Sequence, residues 1–286
     1  MLPNFFVIGA AKSGTTSLHV WLGLHPEIHM SPVKEPHYFV DHERVVALRI
    51  PVVGRRGDYE ALFDSDRPLR GESSPSYSMH PWLPDVAARI RRTVPDARFI
   101  YVVRDPVDRT VAHFLQRAAA TGDRRPFAEM LRGIDDPDHE LGAASRYATQ
   151  VEKYLEHFDG DRMLVVDSAD LLHDRRRALK DVFAFLGADE QFWSPAFEIE
   201  HNRTSEKRQL VGAFAAARDS TLGRAVRRLP PSVRDPLVSG ARQLVTRPLE
   251  RPALDLDAQR RMRDAFQDEV DRLRALTGKQ FTTWSL

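Results

Sequence analysis

The chain reads as an α/β protein, a single domain with a central parallel sheet flanked by helices. Three stretches carry that reading: Phe5-Phe6-Val7-Ile8, residues 97–103 (ARFIYVV) and residues 162–167 (RMLVVD). Each is a short β-branched and aromatic run, the pattern of a strand buried on both faces. Each is also followed by a helical pattern. The first leads through a turn bounded by Gly9 and Gly14 into Leu18, Val20, Trp21 and Leu22. The second leads into a helix opened by Pro106 and continued by Val111, Phe114 and Leu115, with proline at an early helical position where its missing N–H costs nothing. The third leads into Leu171-Leu172 and a helix over 175–186 that Gly187 caps.

Composition sets bounds. The 286 residues suffice for one large domain or two small ones, and 42% hydrophobic with 29% charged residues is ordinary for a globular protein. A net charge of +1 gives no sign of a nucleic-acid partner. The absence of cysteine excludes disulfides, zinc-thiolate sites and cysteine nucleophiles. No apolar run approaches the roughly 20 residues needed to span a bilayer, and the first strand leaves no room for a leader, so a cytoplasmic protein with no integral membrane segment is expected. No clean linker divides the chain. The expected layout is a nucleotide-binding core over about 1–200, a cap or variable helical segment over 201–256, and a C-terminal helix and tail over 257–286.

A strand, a glycine-bounded turn and a helix start together make an anion site, because first-turn N–H groups point outward and the helix dipole adds positive potential there. The Gly9–Gly14 spacing is that of the ATP-binding loop G-x-x-x-x-G-K-[ST], so the turn is P-loop-like. Thr15, however, stands where that motif has its lysine, and the loop's lysine, Lys12, lies inside the turn. A lysine there cannot reach along a triphosphate in the usual way but can sit beside a 5′-phosphate and the group bonded to it. Six small or hydroxyl residues around one lysine argue against a purely structural corner.

The pattern G-x-x-K-S-G-T-T-S resembles the 5′-phosphosulfate loop of sulfotransferases that use 3′-phosphoadenosine 5′-phosphosulfate (PAPS) and release PAP. The resemblance makes Ala11, Lys12, Ser13, Gly14, Thr15, Thr16 and Ser17 candidate nucleotide contacts. With L-H-P between the loop and E-P-H-Y-F, the order is similar to the heparan-sulfate-type (3-O- and N-) sulfotransferases. In that family a glutamate of an E-x-x-F-F-like segment is the general base, a role that transfers to Glu35. His37 is the rival base, since imidazole has the better intrinsic pKa. The alternative for Glu35 is a surface carboxylate paired with Lys34 or an arginine. Where the relatives have a catalytic or acceptor-binding lysine, this chain has Ser73, which weighs against an anionic glycosaminoglycan acceptor.

Arg104 ends the second strand, where α/β folds bind ligands. R-D-P-x-x-R resembles the family's 3′-phosphate motif, R-[DN]-P-x-x-x-x-x-S, and a guanidinium suits phosphate by charge and by its paired donors. Arg104 is therefore the expected contact, and Arg109 a structural residue pairing with Asp105 or Asp108. The family's serine falls at Ala112, which has no hydroxyl, and neighbouring His113 is a candidate replacement though about 100° away round the helix. Residues 201–208 match the region that closes over the nucleotide in relatives, making Arg203, Lys207 and Arg208 further phosphate candidates, against ordinary helix-start charges. Tyr147 reads equally as core and as site. Helices are expected over 81–93, 144–158 and 254–276, a mobile surface segment over 41–58, and a cap or a solvated hairpin over 210–252. The tail, Phe281 to Trp284, is similar to the ending of bacterial relatives.

The expected reaction is in-line sulfuryl transfer to a hydroxyl, or less often an amine, of a small-molecule, glycoside or carbohydrate acceptor. No metal is expected, because a sulfuryl group carries less charge than a phosphoryl group and Arg104 would repel a cation. An ATP-dependent phosphotransferase and a non-catalytic nucleotide-binding relative are the alternatives. Oligomeric state is left open.

Overall fold

The structure, a computed structural model, describes residues 1–47, 51–121, 123, 125–199, 208–210, 246–248 and 250–286. The first half contains β1 (Phe5–Gly9), α1 (Thr15–Leu24), β2 (Ile28–Met30), α2 (His42–Ala47), α3 (Arg56–Ala61), β3 (Leu69–Ser73), α4 (Val86–Thr93), β4 (Arg98–Val103) and α5 (Pro106–Thr121). The second half contains α6 (Phe127–Met130), α7 (Glu140–Ala143), α8 (Tyr147–Leu155), β5 (Met163–Asp167), α9 (Ser168–His173), α10 (Arg175–Leu186) and α11 (Leu256–Thr277). A further antiparallel pair joins β6 (Arg208–Leu210) to β7 (Thr246–Pro248).

The main sheet has the order β2-β3-β1-β4-β5, and every pairing in it is parallel. All five carboxyl ends therefore lie along one edge, and the loops that leave them share one crevice. Alternate residues of each strand serve opposite layers. Phe6, Ile8, Phe99, Tyr101 and Val103 pack with α4, α8 and α11, while Phe5, Val7, Ile100 and Val102 pack with α1 and α10. A third cluster ties α5, α6 and α7 to the first half of α11 through Val111, Leu131, Leu141, Met262 and Phe266.

β3 is buried although its sequence, LRGES, is polar. Gly71 explains part of this: it pairs with Phe5, whose ring lies 2.1 Å from where a Cβ on residue 71 would stand. Phe5 is itself buried, so the ring has little room to yield. Gly71→Ala is expected to lower unfolding free energy by about 1–3 kcal/mol, as overpacking does. Urea denaturation checks this, and an unchanged midpoint would mean that the ring moves freely.

Element bounds differ from expectation in a few places. The helix expected from residue 81 starts at Val86, because Pro84 disfavours helical geometry at Leu83 and Asp85 is left-handed at φ 62°. The helix expected over 144–158 is the shorter α8, since Arg146 (ψ 71°) interrupts the helical path before Tyr147. The segment expected as a mobile surface stretch contains α2. The 210–252 cap or hairpin lies outside the described residues apart from Leu210, at the end of β6, β7 and residues 250–252.

Candidate active site

The turn after β1 is shaped by two left-handed residues, Lys12 (φ 76°) and Gly14 (φ 96°). Gly14 sits at the N-cap of α1 and offers no side-chain oxygen there, so the amides of Thr15 and Thr16 have neither a cap nor a carbonyl of their own helix to bond. The Ser13 hydroxyl is buried and makes no hydrogen bond of acceptable geometry, though the Tyr147 hydroxyl is near it. A row of donors of this kind suits an anion.

Glu35 lies on a loop bound to the end of β3 and the serine-rich turn after it. Ser31 N donates to the Gly71 carbonyl at 2.8 Å, Glu35 N to the Ser73 carbonyl at 3.0 Å, and Phe39 N to the Tyr77 hydroxyl at 3.2 Å. His37 Nδ1 faces Ser76 Oγ at 2.6 Å. The loop is thus pinned through its backbone and through His37, and the Glu35 carboxylate takes no part in pinning it. That carboxylate is 41% exposed; Oε1 pairs with the Lys34 ammonium and Oε2 lies 3.8 Å from His37 Nε2. Burial pushes the His37 pKa below the usual imidazole range, against the pull of Glu35. On α1, His19 Nδ1 lies 3.2 Å from Ser73 Oγ, and burial lowers its pKa to about 4.

Arg104 follows β4, the neighbour of β1, and donates to Asp108 at 3.2 Å. Asp108 also pairs with Arg251, and its two guanidinium partners hold its carboxyl below the usual range against the opposing effect of burial. The Tyr147 hydroxyl donates to the Arg104 carbonyl at 2.8 Å, so this tyrosine is a core residue that also fixes the site's backbone. The tail completes the wall. Trp284 Nε1 donates to Asp167 at the end of β5 at 3.0 Å, and the indole stacks on Phe281 with ring centres 4.3 Å apart.

Beneath the serine-rich turn, Glu72 is fully buried and neither carboxylate oxygen makes a hydrogen bond; the hydroxyls of Tyr59 and Tyr77 come near without reaching bonding geometry. Burial pushes its pKa from 4.5 up to about 8. The folded carboxyl keeps its proton through that window while the unfolded one releases it, so stability falls as pH rises from about 4.5 to about 8. Glu72→Gln is expected to flatten that slope and to be the more stable protein at pH 8. Denaturant titrations across the window test this, and parallel curves for the two proteins would contradict it.

A cleft of about 1170 Å³ opens along the carboxyl ends of the strands. It brings together Ala11, Lys12, Ser13, Gly14, Thr15, Thr16 and Ser17 with Glu35, His37 and Arg104. It does not include Ala112, which is buried, or His113, whose Nδ1 faces Arg109 at 3.2 Å. Ala112 lies one helical turn from the cleft-lining Asp108 and Gln116 on α5 and supplies no hydroxyl there. Arg109 is structural but pairs with neither Asp105 nor Asp108; it is fully buried and donates to Ser145, Thr110 and the Leu141 carbonyl. Arg203 and Lys207 lie outside the described residues, and Arg208 is placed only as the first residue of β6. Sequence reasoning named Lys34 only as a partner for Glu35, as the structure has it, and did not mark Asp167, Thr283 or Trp284 as lining the cleft. Only Asp167, at the end of a legible strand, had a signal to find it by.

A strand-turn-helix anion site with an arginine at the end of the adjacent strand places the fold in the P-loop-like α/β class. A family model for the sulfotransferase domain matches residues 2–208, and the chain belongs to that family. It is 28% identical over 238 residues to human heparan sulfate glucosamine 3-O-sulfotransferase 3B1, covering 81% of this chain and 57% of the relative. The mouse counterpart is 29% identical over 241 residues with the same coverage. The chain thus spans a little over half the length of these relatives. Among solved structures, a sulfotransferase from Alicyclobacillus acidocaldarius superposes with a TM-score of 0.67 at 24% identity, covering all of both chains. A mouse sulfotransferase complexed with PAP gives 0.51 at 15% identity, over 96% of this chain and 88% of that one. Among the described residues no helix is long and apolar enough to cross a membrane, and no cluster of His and carboxylate side chains could hold a metal ion.

Proposed function

We propose that this sulfotransferase uses PAPS as donor and a hydroxyl of a small molecule or carbohydrate as acceptor, with Glu35 as general base and Lys12 stabilising the leaving phosphate. One observation carries the reading: the Lys12 turn and Arg104, at the ends of neighbouring parallel strands, line the same cleft as Glu35. The residues fit the nucleotide. The Thr15 and Thr16 amides, the buried Ser13 hydroxyl and Lys12 suit its 5′ end, and the Arg104 guanidinium suits its 3′-phosphate. Arg203, Lys207 and Arg208 remain candidates to close over it.

When bound, PAPS supplies the sulfuryl group, whose bond to the 5′-phosphate oxygen breaks as the acceptor oxygen bonds to sulfur. Glu35 takes the hydroxyl proton on a carboxylate that pairs with Lys34 and has no part in pinning the loop. Lys12 and the turn's amides stabilise charge growing on the phosphate oxygen, which is where fixed donors contribute most. The carbohydrate acceptors named for the human and mouse relatives favour a sugar hydroxyl here too.

Thermal-shift measurement with PAP, PAPS and ATP–magnesium tests the reading. PAP at about a hundredfold excess over its dissociation constant is expected to add about 2.7 kcal/mol of stability. A larger shift with ATP–magnesium than with PAP would end the proposal in favour of phosphoryl transfer.

A further inference from the structure

Several charged side chains lining the cleft are already paired. The Lys34 ammonium sits on Glu35, and Arg104 shares Asp108 with Arg251. Arg175 stacks over the Trp21 ring at 4.6 Å and donates to Glu198 at 3.2 Å. The two imidazoles nearest the base are engaged with serines, His37 with Ser76 and His19 with Ser73, and burial disfavours the charged form of both. Asp105 and Asp167 add carboxylates to the lining. The turn after β3 contributes Pro75, Ser76 and Met79, none of them charged.

A nucleotide bearing a 3′-phosphate and a phosphosulfate then brings several negative charges into this lining. Lys12 lies in the turn assigned to the 5′ end of that nucleotide. Among the described residues, the lining cations beside the base and at the Arg104 end already face carboxylates. A second anion next to the reacting hydroxyl would then stand beside the donor's own negative charges, with the described cations near the base already facing a carboxylate.

We infer that the acceptor is a hydroxyl compound with no sulfate or carboxylate beside its reacting group, and that the cleft discriminates against anionic acceptors. This rests on the PAPS-dependent reading above. It sets the chain apart from a transferase that must hold a polyanionic chain, for which a surplus of cations at the acceptor end would be needed.

The test uses the full chain and acceptors matched except for charge: an alkyl β-glucoside against the β-glucuronide, 2-naphthol against 6-hydroxy-2-naphthoate, and a carboxyl-reduced unsulfated heparosan hexasaccharide against an N-sulfated heparan hexasaccharide. With radiolabelled PAPS, the neutral member of any pair that is turned over is expected to have at least about a tenfold higher kcat/KM. Calorimetry on the PAP-loaded protein at near-physiological salt is expected to show no saturable binding of the N-sulfated hexasaccharide. His19→Lys, which places an ammonium on α1 beside Ser73, is expected to narrow the neutral-to-anionic ratio. Equal or faster transfer to the anionic members overturns the inference, as does saturable binding of the hexasaccharide. If no pair is turned over, the calorimetric arm decides. Failure of PAP itself to bind would instead remove the donor reading and is read separately from either acceptor result.

Discussion

Glu35→Gln is expected to lower sulfuryl transfer by about 10²–10⁴-fold, the range a positioned general base contributes, while leaving PAP affinity unchanged. The expectation follows from how the loop is held. Its anchors are the amides of Ser31, Glu35 and Phe39 and the His37–Ser76 contact, and the amide at residue 35 survives the substitution. The glutamine side chain keeps an oxygen for the Lys34 ammonium, so the local geometry is preserved and only proton acceptance is lost. Transfer rate and PAP titration measured on the same preparation separate the two effects. His37→Ala is the control: if it abolishes transfer with PAP binding intact while Glu35→Gln does not, the base is the histidine.

Lys12→Ala is expected to cost about 10²–10³-fold in turnover, as removal of one preorganised donor from a developing oxyanion does. Its effect on folding should be far smaller than its effect on turnover, since residue 12 lies in the cleft-lining turn and outside the core clusters. The left-handed backbone at φ 76° is no harder for alanine than for lysine, so strain does not confound the comparison. Turnover measured beside a denaturation curve checks both halves. Unchanged turnover removes Lys12 from the mechanism; a large loss of stability would mean that the turn depends on it structurally.

The parts of the fold legible in the sequence were those written in contiguous residues. β1, β4 and β5 are unbroken apolar runs, and the turn between β1 and α1 announces itself by Gly9, Gly14 and the hydroxyl residues between and after them. β3 was harder to see as a buried strand because two of its five residues defy the usual composition: Gly71 yields its space to the Phe5 ring, and Glu72 is held where burial favours its protonated form. Contacts that build the cleft across long sequence separations were not legible at all. His19 meets Ser73 across 54 positions and Trp284 meets Asp167 across 117, and no local pattern encodes either pairing.

Lys34 and Glu35, adjacent in the chain and in contact, form a counter-ion couple of zero net charge before any reaction. Under the proposed chemistry, arrival of a proton on Glu35 discharges the carboxylate and leaves the ammonium uncompensated at the moment the departing nucleotide becomes more negative. The cation would thus be switched on by turnover itself, drawing the spent nucleotide inward after the sulfated product has formed. Release of PAP, rather than the bond exchange, would then set the pace of the cycle.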